Sequence, residues 1–401
     1  MIYFYSDFKY LFKIVLQLNT HKIKGELQVK KTLIAVSLVC CGAFAYAETG
    51  LTEDKILLGQ IAQLTGKNEQ DIQSYNKGMN AYFDLINRNK INGRVVELIT
   101  KPYTNNVKSY QQTVNELSKQ TFAFVGFNGD TDVVKLSLTT VKAEKIPLIN
   151  SLLTSKSFVT NNENYVYNLK PPIEQEFAKL FSSFDTSGLK KIALVTQVGN
   201  QELAQSIKEA PKFVATQISK EYVLNSDVSN ALDIAQDMLT KDISGVVFAT
   251  SAFATRRLIE ETQRVYTPFM GVSDTISNNS ALQEQIPREN IKMLGIWTVS
   301  SSYSLSDYDN ELVKEYKLEM QKRYGKDVKL DGYSLDGYIS AKYISELIRR
   351  GGRALTREKL IKILNTDDIV TVSKNIELTV QNNKTKRVTI GVIKDKTRIV
   401  Y

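Results

Sequence analysis

Histidine and cysteine are almost missing from this sequence. Its 401 residues include one histidine, His21, and two cysteines, Cys40 and Cys41. All three lie within residues 1–47, which carry a candidate leader. A chain without that leader has no residues for a Cys/His zinc site, a disulfide or a histidine-activated nucleophile. We therefore expect no catalytic residue, no metal site and no cofactor, although an all-carboxylate or Ser-Lys site stays formally open.

The leader has the pattern of a secretory signal peptide at residues 30–47. Lys30 and Lys31 precede an apolar stretch, and Ala45-Tyr46-Ala47 fits the small-x-small cleavage pattern. A membrane anchor is the competing interpretation, but the apolar stretch is shorter than the ~20 residues of a spanning helix. Residues 1–29 are interpreted as an over-extended leader of the gene prediction, with a genuine long leader as the alternative. We expect export to the periplasm.

The chain also lacks a concentrated basic region. Its formal net charge is +9, and part of this excess lies in the leader. Both signs of charge are interspersed elsewhere, whereas nucleic-acid binding requires clustered Lys and Arg. The densest cluster, Arg349-Arg350-Gly351-Gly352-Arg353, is typical of a helix C-terminus, where the helix dipole favours arginine and glycine ends the helix. We expect no nucleic-acid partner.

No linker rich in Pro, Gly or Ser divides the roughly 350 residues after the leader, although this length predicts two domains. Short apolar β-branched runs alternate with amphipathic helical segments in two successive series, which predicts parallel βαβ units. The fold class is therefore α/β, with two Rossmann-like doubly wound lobes joined by a multi-strand hinge. We assign residues 51–169 and 302–366 to lobe 1, and 170–301 and 367–401 to lobe 2. The alternating tail predicts antiparallel strands.

Several segments resemble a known family. They are Lys55-Ile56-Leu57-Leu58-Gly59-Gln60, Leu64-Thr65-Gly66, Ile91-Asn92-Gly93-Arg94, Phe124-Val125-Gly126, Ile146-Pro147-Leu148-Ile149 and Gly337-Tyr338. In this order and spacing, the chain is similar to the type I periplasmic solute-binding proteins of the branched-chain amino acid (Leu/Ile/Val) ABC transporter family. The resemblance covers residues 51–401.

This resemblance implies a function. A protein of this family captures a small-molecule solute between its lobes and delivers it to an inner-membrane ABC permease, and it is expected to be a monomer. An amino acid, another small polar solute or an organic acid would be the solute. A ligand-sensing receptor of the same fold, coupled to a signalling partner, is the alternative; an enzyme is the third hypothesis, and no nucleophile elbow, P-loop or metal cluster supports it.

The candidate ligand-binding residues follow predicted strands, because open α/β sheets bind ligands beyond the carboxyl ends of their strands. For the first lobe, the resemblance implies the loop from Asn128 to Thr131 and the loop from 150 to 154. A helix predicted from Asp132 to Lys142 would begin at this site and favour an anion. The full set of candidates is Asp71, Asn128, Gly129, Asp130, Thr131, Ser151, Leu152, Thr154, Gln197, Asn200, Ser251, Phe253, Asp274 and Trp297.

These candidates have alternative interpretations. Asp71 stands where amino acid binders of the family commonly place an aromatic residue, and Asp130 would repel a carboxylate. Either aspartate could instead cap a helix. The hydroxyls of Ser151 and Thr154 could bond their own backbone. Trp297 could pack the hinge, and Phe253 could fill a core.

Overall fold

A computed structural model gives the fold of the chain from residue 48 onward. The predicted leader, residues 1–47, lies outside the residues that it describes. The described residues are 48–65, 69–198, 200–210, 214–266, 269–273, 296–301, 305, 311–374, 376–381, 387–394 and 397–400.

The first lobe is built on a five-stranded sheet with the order β2-β1-β3-β4-β5. Every pairing in it is parallel, and Lys55 of β1 aligns with Val95 of β2. The inner strands are apolar and almost fully buried, as expected for a parallel sheet with helices on both faces. The strands are β1 (Lys55–Ala62), β2 (Val95–Pro102), β3 (Ala123–Val125), β4 (Leu148–Ile149) and β5 (Val166–Tyr167).

The helices of the first lobe come from both ends of the described chain. They are α1 (Glu69–Asn87), α2 (Val107–Ser118), α3 (Thr131–Val134), α4 (Ser137–Ala143), α9 (Glu311–Tyr324), α10 (Gly332–Gly351) and α11 (Arg357–Thr366). Helices α1 and α10 pack closely because Gly78 and Gly337 leave room for the backbone of the opposite helix. The rings of Tyr82 and Tyr338 meet edge to face in the same interface, 5.0 Å apart.

The second lobe is built on a seven-stranded sheet with the order β14-β13-β10-β9-β8-β6-β7. Strands β6 to β10 pair in parallel, whereas β13 and β14 are antiparallel, as predicted for the tail. The strands are β6 (Lys191–Gln197), β7 (Gln217–Leu224), β8 (Gly245–Ala249), β9 (Phe269–Ser273), β10 (Ile296–Ser300), β13 (Thr389–Lys394) and β14 (Thr397–Val400). Its helices are α5 (Ile173–Thr186), α6 (Gln201–Glu209), α7 (Ala231–Thr240) and α8 (Ala252–Val265).

A two-stranded hairpin, β11 (Val370–Ser373) and β12 (Ile376–Leu378), stands apart from both sheets. Its buried side chains, Val370, Val372 and Ile376, belong to the same hydrophobic core as α1 and α10. The sequence-based boundaries assigned residues 367–401 as a whole to lobe 2. Within the described residues, apolar burial ties this hairpin to the first lobe, while β13 and β14 extend the sheet of the second.

Three passages between the two lobes can be traced from the described residues. The crossings lie between β5 and α5, between β10 and α9, and between β12 and β13. The predicted class of fold, two α/β lobes joined through several crossings, is confirmed. Among the residues described, no helix is both long enough and apolar enough to span a membrane.

Candidate functional site

The loops that follow β1, β3 and β4 are joined by hydrogen bonds at the carboxyl edge of the first sheet. The backbone N–H of Gln63 donates to Oδ1 of Asn128 at 3.2 Å, and the N–H of Asn128 donates to the carbonyl of Ile61 at 3.1 Å. Both the N–H of Leu152 and the hydroxyl of Ser151 donate to the carbonyl of Phe127, at 3.0 and 3.1 Å. The structure therefore brings the predicted residues Asn128, Ser151 and Leu152 together.

Most of the polar groups described in these three loops form hydrogen bonds that hold the loops themselves in place. Ser151 is buried, and its Oγ also accepts a bond from the N–H of Leu153 at 3.2 Å. Its contacts thus fit the alternative in which a loop hydroxyl bonds nearby backbone. The carbonyl of Thr154 accepts from the N–H of Ile173, the first residue of α5, at 3.1 Å. Thr154 therefore links the loop after β4 to the first helix of the second lobe.

A tyrosine that the sequence analysis missed lies at the same edge. Tyr103 follows β2, and a β-carbon on Gly129 would stand 2.5 Å from its ring. Gly129 also has a φ of 143°, a backbone angle that residues other than glycine rarely adopt. Burial raises the pKa of the Tyr103 hydroxyl. The sequence signal that could have identified Tyr103 is an aromatic residue directly after a predicted strand. The family resemblance implied no ligand-binding residue in that loop.

Asp130 caps a short helix. Its Oδ1 accepts from the N–H groups of Asp132 and Val133, at 3.0 and 3.2 Å, and Thr131 is the first residue of that helix. The single helix expected from Asp132 to Lys142 is wrong, because α3 ends at Val134 and α4 begins at Ser137. The hydroxyl of Ser137 donates to the carbonyl of Val134 at 2.7 Å, in place of a continued helical bond.

The second lobe brings the ends of β6 and β8 together. Oε1 of Gln197 accepts from the N–H of Ser251 at 3.2 Å, and Oγ of Ser251 caps α8 by accepting from Ala254. Asn200 stands at the start of α6 but makes no capping bond through its side chain. Three predicted residues of the second lobe, Gln197, Asn200 and Ser251, therefore lie at the carboxyl edge of its sheet.

Two large apolar side chains at this edge are exposed. Phe253 of α8 is 54% exposed, and Val198, directly after β6, is 71% exposed. Phe253 does not fill a core, which was its alternative interpretation. The sequence analysis missed Val198 because a single valine after a strand carries no pattern. Both residues follow strands at the carboxyl edge of the sheet, where open α/β sheets bind their ligands.

The remaining candidates make other contacts. Asp71, in the first turn of α1, lies beside Asp331, Lys329 and Tyr333, where burial and the Asp331 carboxylate raise its pKa to about 6. Trp297 packs in a core of the second lobe, with its ring 5.6 Å from that of Phe184. That contact fits the packing interpretation of Trp297 rather than a place among the strand-end loops. Asp274 lies outside the described residues.

Comparison with known proteins assigns the family. The model of the periplasmic binding protein family matches residues 55–388, and the chain belongs to this family. Its fold is similar to that of a substrate-binding periplasmic protein from Ralstonia solanacearum, with a TM-score of 0.73 and 19% identity over 86% of this chain and 100% of that one. The predicted resemblance is thereby confirmed.

Two further solved structures share the fold and contain a ligand. A solute-binding protein of an ABC transporter from R. palustris, in complex with benzoate, has a TM-score of 0.68 and 13% identity over 86% of this chain and 95% of that one. A branched-chain amino acid ABC transporter protein from Thermus thermophilus, with bound valine, has a TM-score of 0.70 and 14% identity over 87% and 96%. A search of curated proteins finds no match.

Proposed function

We propose that this protein is the solute-binding component of an ABC transporter and binds its solute between the carboxyl edges of the two sheets. The observation that carries this proposal is the pair of exposed apolar side chains, Phe253 and Val198, at the edge of the second sheet. Family membership supports a binding role, and the first-lobe loops supply a fixed polar surface around Asn128 and Gly129.

The topology supports a cleft between these edges. Two of the three crossings start at the carboxyl end of a strand, β5 in the first sheet and β10 in the second. The bond from Ile173 to the carbonyl of Thr154 holds the start of α5 against the loop after β4. Because α5 precedes β6 and runs back along the sheet, its first turn belongs to the carboxyl edge of the second sheet. Bending at the crossings would then open and close the two edges on a solute.

The chemistry of the two edges indicates a solute with a polar end and an apolar end. The side chains of Asn128 and Ser151 already form hydrogen bonds with backbone groups. The polar end of a solute would therefore be bound by other backbone groups of these loops and by Thr131. Phe253 and Val198 provide apolar contact from the other edge. Valine and benzoate, the ligands of two proteins of this fold, both have this division. We include amino acids and organic acids in the proposed class.

The cellular setting is part of the same proposal. The leader at residues 30–47 would export the chain to the periplasm, and an inner-membrane permease would receive the solute from the closed form. We propose a monomer that binds and releases its solute unchanged. Mass spectrometry of the solute after prolonged incubation tests the absence of turnover, since an enzyme would release a product of different mass.

A thermal-shift screen with matched variants tests the site. Amino acids, aromatic acids, short fatty acids, dicarboxylates and polyamines are added to the purified protein, and we expect at least one to raise the Tm. Phe253→Ser should weaken that solute about tenfold, since it removes one large apolar contact of roughly 1.5 kcal/mol.

The control is Leu239→Ser. Leu239 lies on α7 of the same lobe and is exposed to a similar degree, 49%. This variant should bind the solute as the native chain does. Equal losses in both variants, or no stabilising compound in the screen, would contradict the proposed site.

A further inference from the structure

A cavity of about 550 Å³ lies among the three crossings, apart from the exposed edge of the second sheet. Its wall includes Leu169 and Ser301 of the first two crossings, Ile376 of β12 and Arg387 before β13. Helix α10 contributes Ile339, and the loop after β4 contributes Ser151 and Leu152, which also belong to the loops of the solute site. The volume falls within the ~300–1,000 Å³ that is typical of small-molecule pockets.

One buried tyrosine of the cavity wall has a hydroxyl without a partner among the described residues. Tyr75 of α1 is 1% exposed and lines the cavity, and its hydroxyl makes no hydrogen bond to any of the described residues. Asn150 and Ser340 are polar neighbours of this hydroxyl, and Nδ2 of Asn150 donates to Oγ of Ser340. Oδ1 of Asn150 accepts from the N–H of Leu169 at 3.2 Å, and Ser340 donates to the carbonyl of Asp336 at 2.7 Å. A buried hydroxyl that bonds nothing destabilises the folded chain, and a bound acceptor would remove this cost.

The buried and half-buried charges of the wall are matched, while its other two charged side chains, Glu377 and Arg387, are exposed to solvent. Nζ of Lys170 lies 2.6 Å from Oδ2 of Asp336. Asp368 accepts from the hydroxyl of Thr379 at 2.6 Å and from the N–H of Gln381 at 3.2 Å. An ionised ligand held against the buried part of the wall would therefore lose its hydration without meeting an unmatched opposite charge there. An uncharged molecule loses less, and the apolar side chains Leu169, Ile339 and Ile376 accept its body.

We propose that this cavity is a second ligand site, for a small uncharged molecule with one acceptor oxygen and a compact apolar body. The acceptor oxygen takes the hydrogen bond of the Tyr75 hydroxyl. Because residues of all three crossings border the cavity, its occupant touches the segments that must bend when the lobes move. The wall shares the loop after β4 with the solute site but does not include Phe253 or Val198, so this second site goes beyond the transport role.

Three cyclohexane derivatives with different head groups test the class of ligand. Cyclohexanol is uncharged, cyclohexanecarboxylate is an anion and cyclohexylammonium is a cation. Each is titrated into the purified protein and followed by saturation-transfer NMR of the probe. We expect saturable binding of cyclohexanol, with both ions at least tenfold weaker. Equal affinity for the three probes, or no saturable binding of cyclohexanol, would overturn the proposal.

Two tyrosine variants test the place of binding. Tyr75→Phe removes only the hydroxyl and should weaken cyclohexanol fivefold to tenfold, the effect of one hydrogen bond. Tyr110→Phe is the matched control, since Tyr110 is also 1% exposed with an unpartnered hydroxyl but does not line the cavity. It should bind like the native chain. Native affinity in Tyr75→Phe would overturn the proposal.

Phe253→Ser separates this proposal from the proposed function. We expect this variant to bind cyclohexanol with native affinity while it loses the transported solute. Loss of cyclohexanol binding in Phe253→Ser would place the probe at the strand-end loops and overturn the second site. Retention of both ligands would contradict the solute site alone.

Discussion

Gly337 of α10 lies against the backbone of Tyr75 so closely that a β-carbon would stand 2.0 Å from the Tyr75 carbonyl oxygen. The contact is reciprocal, because a β-carbon on Gly78 of α1 would stand 1.8 Å from the carbonyl oxygen of Ser334. Neither neighbour is the movable end of a side chain. The two glycines therefore set the distance between α1 and α10, and with it the position of Tyr75 over the cavity.

Gly337→Ala should destabilise the chain by about 3 kcal/mol, since the two helices must separate and lose packing in the core of the first lobe. Urea unfolding followed by circular dichroism measures the change. Gly188→Ala is the control, because nothing lies within 4 Å of its β-carbon and only its φ of 74° strains an alanine. We expect about 1 kcal/mol for this control. A smaller loss for Gly337→Ala than for Gly188→Ala would contradict the close contact.

The sequence predicted the fold well because its signals are local. Alternating strands and helices define two α/β lobes, and the position of each loop after a strand follows from that alternation. The packing of α10 on α1 joins residues more than 250 positions apart, and no periodicity predicts it. Gly337 belongs to the segments that carry the family resemblance, but nothing in the sequence provides a physical reason for a glycine at this position. The reason is the carbonyl of Tyr75, which only the folded chain brings there.

The site was less predictable, because exposure and partners decide what a polar residue does. Asp71 and Asp130 each lie at or just before the start of a predicted helix, so from the sequence both had the same two interpretations, a ligand contact or a helix cap. In the structure Asp130 caps α3, whereas Asp71 lies beside a second aspartate. Likewise, Trp297 follows the pattern of its strand but packs on Phe184, which lies on a helix more than 100 residues earlier.

Asp71→Asn should stabilise the protein at neutral pH. Burial and the Asp331 carboxylate raise the pKa of Asp71 from 3.8 to about 6, so the ionised form is disfavoured in the folded state. This cost is absent near pH 4, grows as the pH rises to about 6, and is complete above that. We expect a gain of about 1 kcal/mol at pH 7.5, because solvent screens the exposed part of the side chain, and almost none at pH 4.

Urea unfolding at the two pH values checks this expectation. Asp242→Asn serves as the control, since the side chain of Asp242 is 91% exposed and its contact with Lys191 is on the surface. It should change the free energy of unfolding by less than about 0.5 kcal/mol at either pH. A gain for Asp71→Asn that is equal at both pH values would exclude ionisation as its cause.

Arg357→Lys should weaken the attachment of α11 to the first sheet. The Arg357 guanidinium donates to the carbonyls of Phe122 and Thr121, at 3.0 and 2.6 Å, in the turn that leads into β3. A lysine has the charge but not the planar fork that reaches both carbonyls. We expect a loss of about 2 kcal/mol in urea unfolding. Arg353→Lys, at an exposed position, should cost less than about 0.5 kcal/mol, and equal effects would contradict the role of the fork.

Two substitutions at Asp130 separate its capping role from its charge. Asp130→Ala removes the acceptor for the N–H groups of Asp132 and Val133 and should cost about 1 kcal/mol of stability. Asp130→Asn keeps an acceptor at the cap and should leave the stability nearly unchanged. Thermal melts of the two variants measure this difference.

The effect of Asp130→Asn on binding then reports the charge alone. If Asp130 borders the solute site, a carboxylate solute should bind about twofold to fivefold more tightly after loss of the negative charge, and a cationic solute correspondingly more weakly. Calorimetric titrations at low and high salt measure both effects, and added salt should reduce them because Asp130 is exposed. An unchanged affinity for every solute that stabilises the native chain would place Asp130 outside the site and leave it as a helix cap only.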